Sequence, residues 1–238
     1  MKKLLVFLSA MFVCVVALAQ TINVSWKIGN TTYATNTCEY GDTLTAPTPP
    51  TKYGYTFQGW AQYILLEYIE STGTQYIDTG VTPSANFDFY LDAMITSNEL
   101  YQNVFGTTTN SIFSRVVADT LLSSSINGNA SNGGIGFGGA DNRFYIGLSP
   151  RRILSANGTE KTLKRPYSPS GTFMLLNSGT KARVYGAKLY DGTNLVFNLI
   201  PAKHLADNAI GMYDTVTKTF FENAGTGTFI AGPEVGDL

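Results

Sequence analysis

From residue 22 onward the chain alternates apolar and polar positions far more often than it repeats them at helical spacing. Ile22, Val24, Trp26 and Ile28 take every second position of one run; Phe87, Phe89, Leu91, Ala93 and Ile95 do so in a longer one. A period of two puts those side chains on one face of a strand, so each run predicts a strand with one buried face. Similar patterning predicts strands over 64–70, 75–79, 100–106, 111–117, 143–148, 153–156, 161–165, 172–176, 183–190, 195–200 and 228–231. Thr72-Gly73, Asn127-Gly128, Asn157-Gly158, Ser178-Gly179 and Asp191-Gly192 mark turns between many of them. No helix of three turns finds apolar support, and residues 202–209 are expected to make one helical turn at most. Many short strands separated by turns predict an all-β sandwich or barrel.

The first twenty residues follow another pattern. Lys2 and Lys3 precede an apolar run from Leu4 to Val16, and Ala17-Leu18-Ala19 supplies small residues before Gln20. That order predicts a secretory signal peptide at residues 1–19, cleaved after Ala19. The apolar run is shorter than the roughly 20 residues a membrane-spanning helix needs, so the mature chain is expected to be exported and not membrane-spanning. Loss of Cys14 leaves Cys38 as the one cysteine, so an intramolecular disulfide is impossible. Cys38 is expected to be a small buried residue, with an intermolecular disulfide as the alternative. The oligomeric state is left open.

Composition fits this picture. Charged residues are 14% of the chain, while Gly numbers 24 and Tyr and Phe 14 each, a mixture that suits pleated strands and tight turns. The net charge of −1 becomes −3 when Lys2 and Lys3 leave, which speaks against nucleic acid or an anionic membrane as partner. A break near residue 62 divides the mature chain into modules at 20–62 and 63–238. The first holds the proline cluster Pro47, Pro49 and Pro50, which links strands because proline lacks an amide donor.

In the first module, Tyr40-Gly41-Asp42-Thr43-Leu44, then Pro47 and Pro49, then Gly54-Tyr55-Thr56-Phe57-Gln58-Gly59-Trp60 resembles the Listeria–Bacteroides, internalin-type B repeat of bacterial surface proteins. The resemblance implies a small β-grasp-like fold used as a spacer or adhesive unit. In the second module, the stretch from Leu66-Glu67-Tyr68-Ile69-Glu70 to Ile77-Asp78-Thr79-Gly80 opens another resemblance. Lys188-Leu189-Tyr190-Asp191, Leu199-Ile200-Pro201-Ala202, Ile210-Gly211-Met212-Tyr213-Asp214 and Asn223-Ala224-Gly225-Thr226-Gly227 continue it. Together they resemble concanavalin A-like, laminin-G-like jelly-roll domains of bacterial surface proteins. That resemblance implies a β-sandwich that binds glycans or proteins; some relatives hydrolyse polysaccharides.

Candidate chemistry is sparse. His204, the only histidine, has no nucleophile motif beside it and is expected on a surface loop. Glu67 and Glu70 are three apart and would point to opposite faces of a strand, whereas Asp88 and Asp92 are four apart and share one. Neither makes the alternating acid string of glucanases with this fold, so no catalytic residue is assigned and a polysaccharide hydrolase is the weaker alternative. Asp78-Thr79-Gly80 lacks the second copy that aspartic-protease chemistry needs and reads as a turn. Gly134-Ile135-Gly136-Phe137-Gly138-Gly139 has dinucleotide spacing but no helix behind it. No cofactor is expected and no metal site is assigned; calcium is the plausible ion, with Asp141-Asn142 and Asp207-Asn208 as donors, although a solvated turn accounts for both pairs. Asp42-Thr43-Leu44, Asp119-Thr120-Leu121 and Asp214-Thr215-Val216 resemble bacterial O-glycan acceptor sites.

One cluster stands out. Arg143, Arg151, Arg152, Lys161, Lys164 and Arg165 fall in a short span whose only acid is Glu160. If hairpin loops converge, Arg151 and Arg152 can meet an anionic glycan or carboxylate-bearing partner, with Arg143 nearby and Tyr145 and Tyr167 as stacking surfaces. A solvated face whose charges keep strand edges from pairing is the favoured reading of the cluster. The leading expectation is a non-catalytic, adhesin-like binding protein for a glycan or surface protein; the alternative is a spacer or self-assembling surface component. A basic, aromatic face would favour binding, an unpaired edge strand assembly, and two carboxylates in a cleft an enzyme.

Overall fold

A computed structural model describes residues 21–28, 31–39, 45–51, 53, 62–109, 112–118, 120–126, 129–130, 135–150, 152–155, 159–162, 170–177 and 179–237. The chain divides into two compact units, 1–60 and 61–238. The expected signal peptide and the Gly54–Trp60 motif lie outside the described residues.

Among the described residues every regular element is a strand. In chain order they are β1 (Thr21–Ile28), β2 (Thr31–Glu39), β3 (Tyr63–Leu66), β4 (Ile69–Thr72), β5 (Ile77–Asp78), β6 (Phe87–Ile95) and β7 (Asn103–Thr107). Then come β8 (Ile112–Ala118), β9 (Leu121–Ile126), β10 (Asn129–Ala130), β11 (Ile135–Gly136), β12 (Arg143–Ser149), β13 (Arg152–Ser155) and β14 (Glu160–Thr162). The last seven are β15 (Phe173–Leu175), β16 (Lys181–Asp191), β17 (Asn194–His204), β18 (Ile210–Asp214), β19 (Phe220–Phe221), β20 (Ile230–Ala231) and β21 (Glu234–Asp237).

In the first unit β1 and β2 form an antiparallel hairpin, tied across by Trp26 Nε1 donating to Asn36 Oδ1 at 2.9 Å. Cys38, expected in a core, is half-buried opposite Ile22, because among the described residues of this unit the two-stranded sheet has no facing layer. Strand β2 was not expected: its Thr-rich sequence lacks alternating apolar residues, but branched Thr side chains suit an extended backbone.

The second unit is a sandwich of two antiparallel sheets. The smaller runs β10-β9-β8-β7-β15-β5, with β11 on β9. The larger runs β14-β13-β12-β6-β16-β17-β18-β19, with β3, β4, β20 and β21 completing it beside β16 and β17. The core lies between them. Phe87, Phe89, Leu91, Ala93 and Ile95 of β6 are all within 1% of full burial, as the period-two pattern requires. The Phe89 ring packs at 4.7 Å from Phe105 and 4.4 Å from Phe173, both in the smaller sheet, and at 6.5 Å from Phe197 of its own sheet.

One expectation is corrected and another is placed more closely. The run 64–70 is split at Glu67-Tyr68, because β3 pairs with β17 and β21 whereas β4 pairs with β16 and β20. Within residues 202–209, Ala202 to His204 finish β17, and the single helical turn expected there follows at 204–208, closed by Asn208 N donating to His204 O, before β18.

Candidate functional site

The outward phase of the larger sheet carries the site. On β6 the residues between the buried ones are Asp88, Tyr90 and Asp92, and Tyr90 is exposed. Register sets their neighbours. Tyr145 of β12 lies opposite Asp92; Lys188 of β16 lies opposite Tyr90, and Tyr190 opposite Asp88. These side chains line an open groove of about 940 Å³ that reaches Asn198 and Ile200 of β17.

A bulge adds a fourth tyrosine. Along β16 the buried positions are Ala182 and Val184, then Ala187 and Leu189, so the alternation slips by one residue between Val184 and Ala187. The β6 register shifts at the same place. An extra residue in one strand twists it and re-aims a side chain, and Tyr185 joins Tyr90, Tyr145 and Tyr190 in lining the groove. Tyr90 and Tyr190 meet edge to face at 6.1 Å.

Charge on this face is matched internally. Arg143 grips Asp92 with both ends of its guanidinium, Nε to Oδ1 at 2.8 Å and Nη2 to Oδ2 at 2.7 Å. Its guanidinium carbon lies 3.8 Å from the Tyr185 ring centre and 5.8 Å from that of Tyr145. The hydrogen bond to Asp92 raises the Arg143 pKa against the opposing effect of burial. Beside it, Arg183 donates to Glu70 Oε2 at 2.6 Å and lies 4.4 Å over Tyr68, whose ring meets Tyr185 at 5.5 Å. The result is a strip of tyrosine rings and paired guanidinium groups running from β4 across β16 to β12.

The expected basic cluster is only partly gathered here. Arg143 and Tyr145 stand on the groove side, but Arg143 is held by Asp92. Arg152 pairs with Ser149 at the far end of β12, about 20 Å from Arg143 at about 3.3 Å per residue. The structure therefore does not bring Arg143 and Arg152 together. Arg151, Lys164, Arg165 and Tyr167 lie outside the described residues, and Lys161 is in β14 opposite Ile153.

The acids are arranged as follows. Asp88 and Asp92 both line the groove, but four strand residues put their backbones about 13 Å apart. Carboxyl pairs of glycosidases stand about 5–9.5 Å apart. Both oxygens of Asp92 are taken by Arg143. Glu67 is exposed, and Glu70 belongs to Arg183.

The remaining motifs have local roles. Asp78 Oδ1 accepts from Gly80 N, and Thr79 Oγ1 donates to Phe173 O, which makes Asp-Thr-Gly a strand-ending turn. Gly138 and Gly139 take positive φ before β12, where a dinucleotide site would need a helix. Asn142 Nδ2 donates to Gly138 O and Ala140 O. Among the described residues no three His, Cys, Asp or Glu side chains gather as a metal site. His204 ends β17 instead of sitting in a loop. Its Nδ1 is 3.0 Å from Asp207 Oδ1, and its ring packs against Tyr63 and Phe220. Asp207 is held below the usual carboxylate range, first by the Ala209 amide and then, against desolvation, by His204. Thr215, in the one O-glycan-like motif with all three residues described, engages its hydroxyl with Asn198.

Comparison with known proteins bears on the N-terminal part. Residues 23–90 match the model of the Listeria-Bacteroides repeat domain. This repeat is typical of bacterial surface or extracellular proteins, and its presence suggests such a protein. The Listeria-Bacteroides match covers less than a third of the chain and runs past residue 62, ending at Tyr90 in the groove. No curated protein matches the chain. Among the described residues no helix is long and apolar enough to cross a membrane.

Three of the groove tyrosines were not singled out from sequence. Tyr90 and Tyr190 were readable as aromatic residues on the polar phase of a strand, and Tyr185 as the residue where the alternation slips.

Proposed function

We propose that this protein is a non-catalytic, glycan-binding component of a bacterial surface, and that the groove on β6, β12, β16 and β17 is its binding site. The observation that carries this reading is the set of four tyrosines lining one open groove, with Asp88, Lys188 and Asn198 among them. Aromatic faces stack on the apolar faces of sugar rings, while carboxylate, ammonium and amide groups bond the hydroxyls; few fixed polar groups among aromatic walls are the general makeup of a ligand site. From Tyr145 to Tyr190 the groove crosses two strand spacings and about four residues, roughly 16 Å, a length that suits a chain of sugars.

The two-sheet architecture and the strand-end motifs further support a concanavalin A-like, laminin-G-like module carried with the repeat on an exported protein. Binding without hydrolysis is supported by Asp92, whose two oxygens are held by Arg143 and so are poorly placed to move a proton. The test is a screen of the folded protein against immobilised host and plant polysaccharides, with and without calcium. Reproducible retention by one glycan class is expected; no retention by any polysaccharide would overturn the reading.

One observation favours a second reading, self-assembly. Residues 230–237 form a C-terminal edge along β4 and β3, with Ile230 and Val235 exposed. Edge strands of this kind template pairing with another chain. A concentration-dependent increase in mass by light scattering, abolished by Val235→Lys, would support it; a monomer at all concentrations would exclude it.

A further inference from the structure

We propose that the groove takes neutral polysaccharide chains and excludes anionic ones, because the arginines beside it are already paired with the protein's own carboxylates and Asp88 faces into it. The inference rests on the groove being a glycan site and names the class of glycan.

Arg143 is the guanidinium nearest the groove, and it is the residue an acidic sugar would be expected to seek. Its bidentate bond to Asp92 occupies the Nε–Nη2 edge, one of the edges that could receive a uronate or sulfate. An anion that took this edge would leave Asp92, whose side chain is only 16% exposed, without its counter-ion, and one that approached Nη1 would meet a guanidinium whose charge Asp92 already offsets. Arg183 at the margin is paired with Glu70 through a single bond from Nε to Oε2. Among the described residues Lys188 is the one cation lining the groove, and it stands opposite Tyr90, between Asp88 and Asp92 of β6.

Asp88 decides the direction of selection. It lines the groove, and no hydrogen bond to it is seen among the described residues. An ionised carboxylate there accepts hydrogen bonds from vicinal hydroxyls of a neutral sugar and repels a carboxylate or sulfate. The tyrosine rings are indifferent to net charge, so they supply contact and the acid supplies selection.

The experiment is affinity electrophoresis of the full chain in gels containing a soluble neutral β-glucan, a neutral mannan or polygalacturonate, at low and high salt. Retardation by at least one neutral polysaccharide and none by polygalacturonate is expected. Asp88→Lys, at a partly exposed position, should gain polygalacturonate binding by about tenfold or more, about 1.4 kcal/mol. Asp92→Asn, which releases Arg143, should move in the same direction. If the wild type binds polygalacturonate as tightly as the neutral chains, or folded Asp88→Lys gains nothing, the selectivity is wrong and the glycan reading stands. If no polysaccharide retards the folded protein, the glycan reading itself falls.

Discussion

Phe89 and Tyr90 are neighbours on β6, and the structure assigns them opposite consequences. Phe89 is fully buried among Phe105, Phe173 and Phe197, where it joins the two sheets. Phe89→Ala removes roughly 150 Å² of apolar surface from the core. At about 25 cal/mol per Å² that amounts to about 4 kcal/mol, within the roughly 3–5 kcal/mol typical of buried Phe→Ala changes. With an m-value of about 2 kcal/mol/M in urea, the unfolding midpoint should fall by about 2 M. Tyr90 is 43% exposed and keeps one edge-to-face partner, Tyr190, so Tyr90→Ala should cost only about 0.5–1.5 kcal/mol. The assay is equilibrium urea unfolding followed by circular dichroism and tyrosine fluorescence. Phe89→Leu, which retains most of the volume, covers the case in which the alanine variant does not fold, and it should fall between the two. Equal losses at positions 89 and 90 would refute the inward and outward assignment of β6 and, with it, the placement of the groove.

Further expectations concern the turns that hold the larger sheet together. Desolvation pulls the Asp214 pKa up, but hydrogen bonds from Thr217 Oγ1 and the amides of Asn198, Val216 and Thr217 outweigh it and hold the carboxyl below its usual range. A group depressed in the folded state stabilises fully above its unfolded pKa, and that contribution is lost as pH falls through the folded value. Asp214→Asn should therefore lose about 1.5–3 kcal/mol at pH 7, with the gap to wild type narrowing below about pH 4 in urea melts; a pH-independent gap would contradict the assignment. At Gly225 a Cβ would stand 2.0 Å from Thr74 O, so Gly225→Ala must displace backbone. It should cost about 1–3 kcal/mol or more in the same assay, and a neutral result would mean that the 74–76 and 223–227 segments do not meet as described.

Alternation made the fold legible where one strand face was apolar and the other polar. Strand β6 follows that pattern from Phe87 to Ala93, and its buried face was readable in advance. Strands β2 and β9 were not, because Thr31-Thr32-Tyr33 and Ser123-Ser124-Ser125 are held in register by neighbours and not by their own apolar pattern. The split at Glu67-Tyr68 was likewise hidden: a change of partner strand leaves no mark in local sequence. At the site, Tyr145 and Arg143 were legible as individual residues. What Arg143 does was not, since its partner Asp92 is 51 residues away and the pair exists only through the β6–β12 register. Proximity in sequence grouped Arg143 with Arg152, whereas Arg143 opens β12 and Arg152, in β13, lies opposite Ser149 at its other end.

The most direct test of the central claim is the affinity of Tyr90→Ala combined with Tyr145→Ala for the polysaccharide that the wild type binds, measured by titration calorimetry beside a thermal melt. Both rings are exposed, at 43% and 54%, and both line the groove, so their removal should spare the core. The account predicts a loss of affinity of about tenfold or more, about 1.4 kcal/mol, in a protein that still melts cooperatively. Undiminished affinity in that folded variant would contradict it and place the binding surface elsewhere on the molecule.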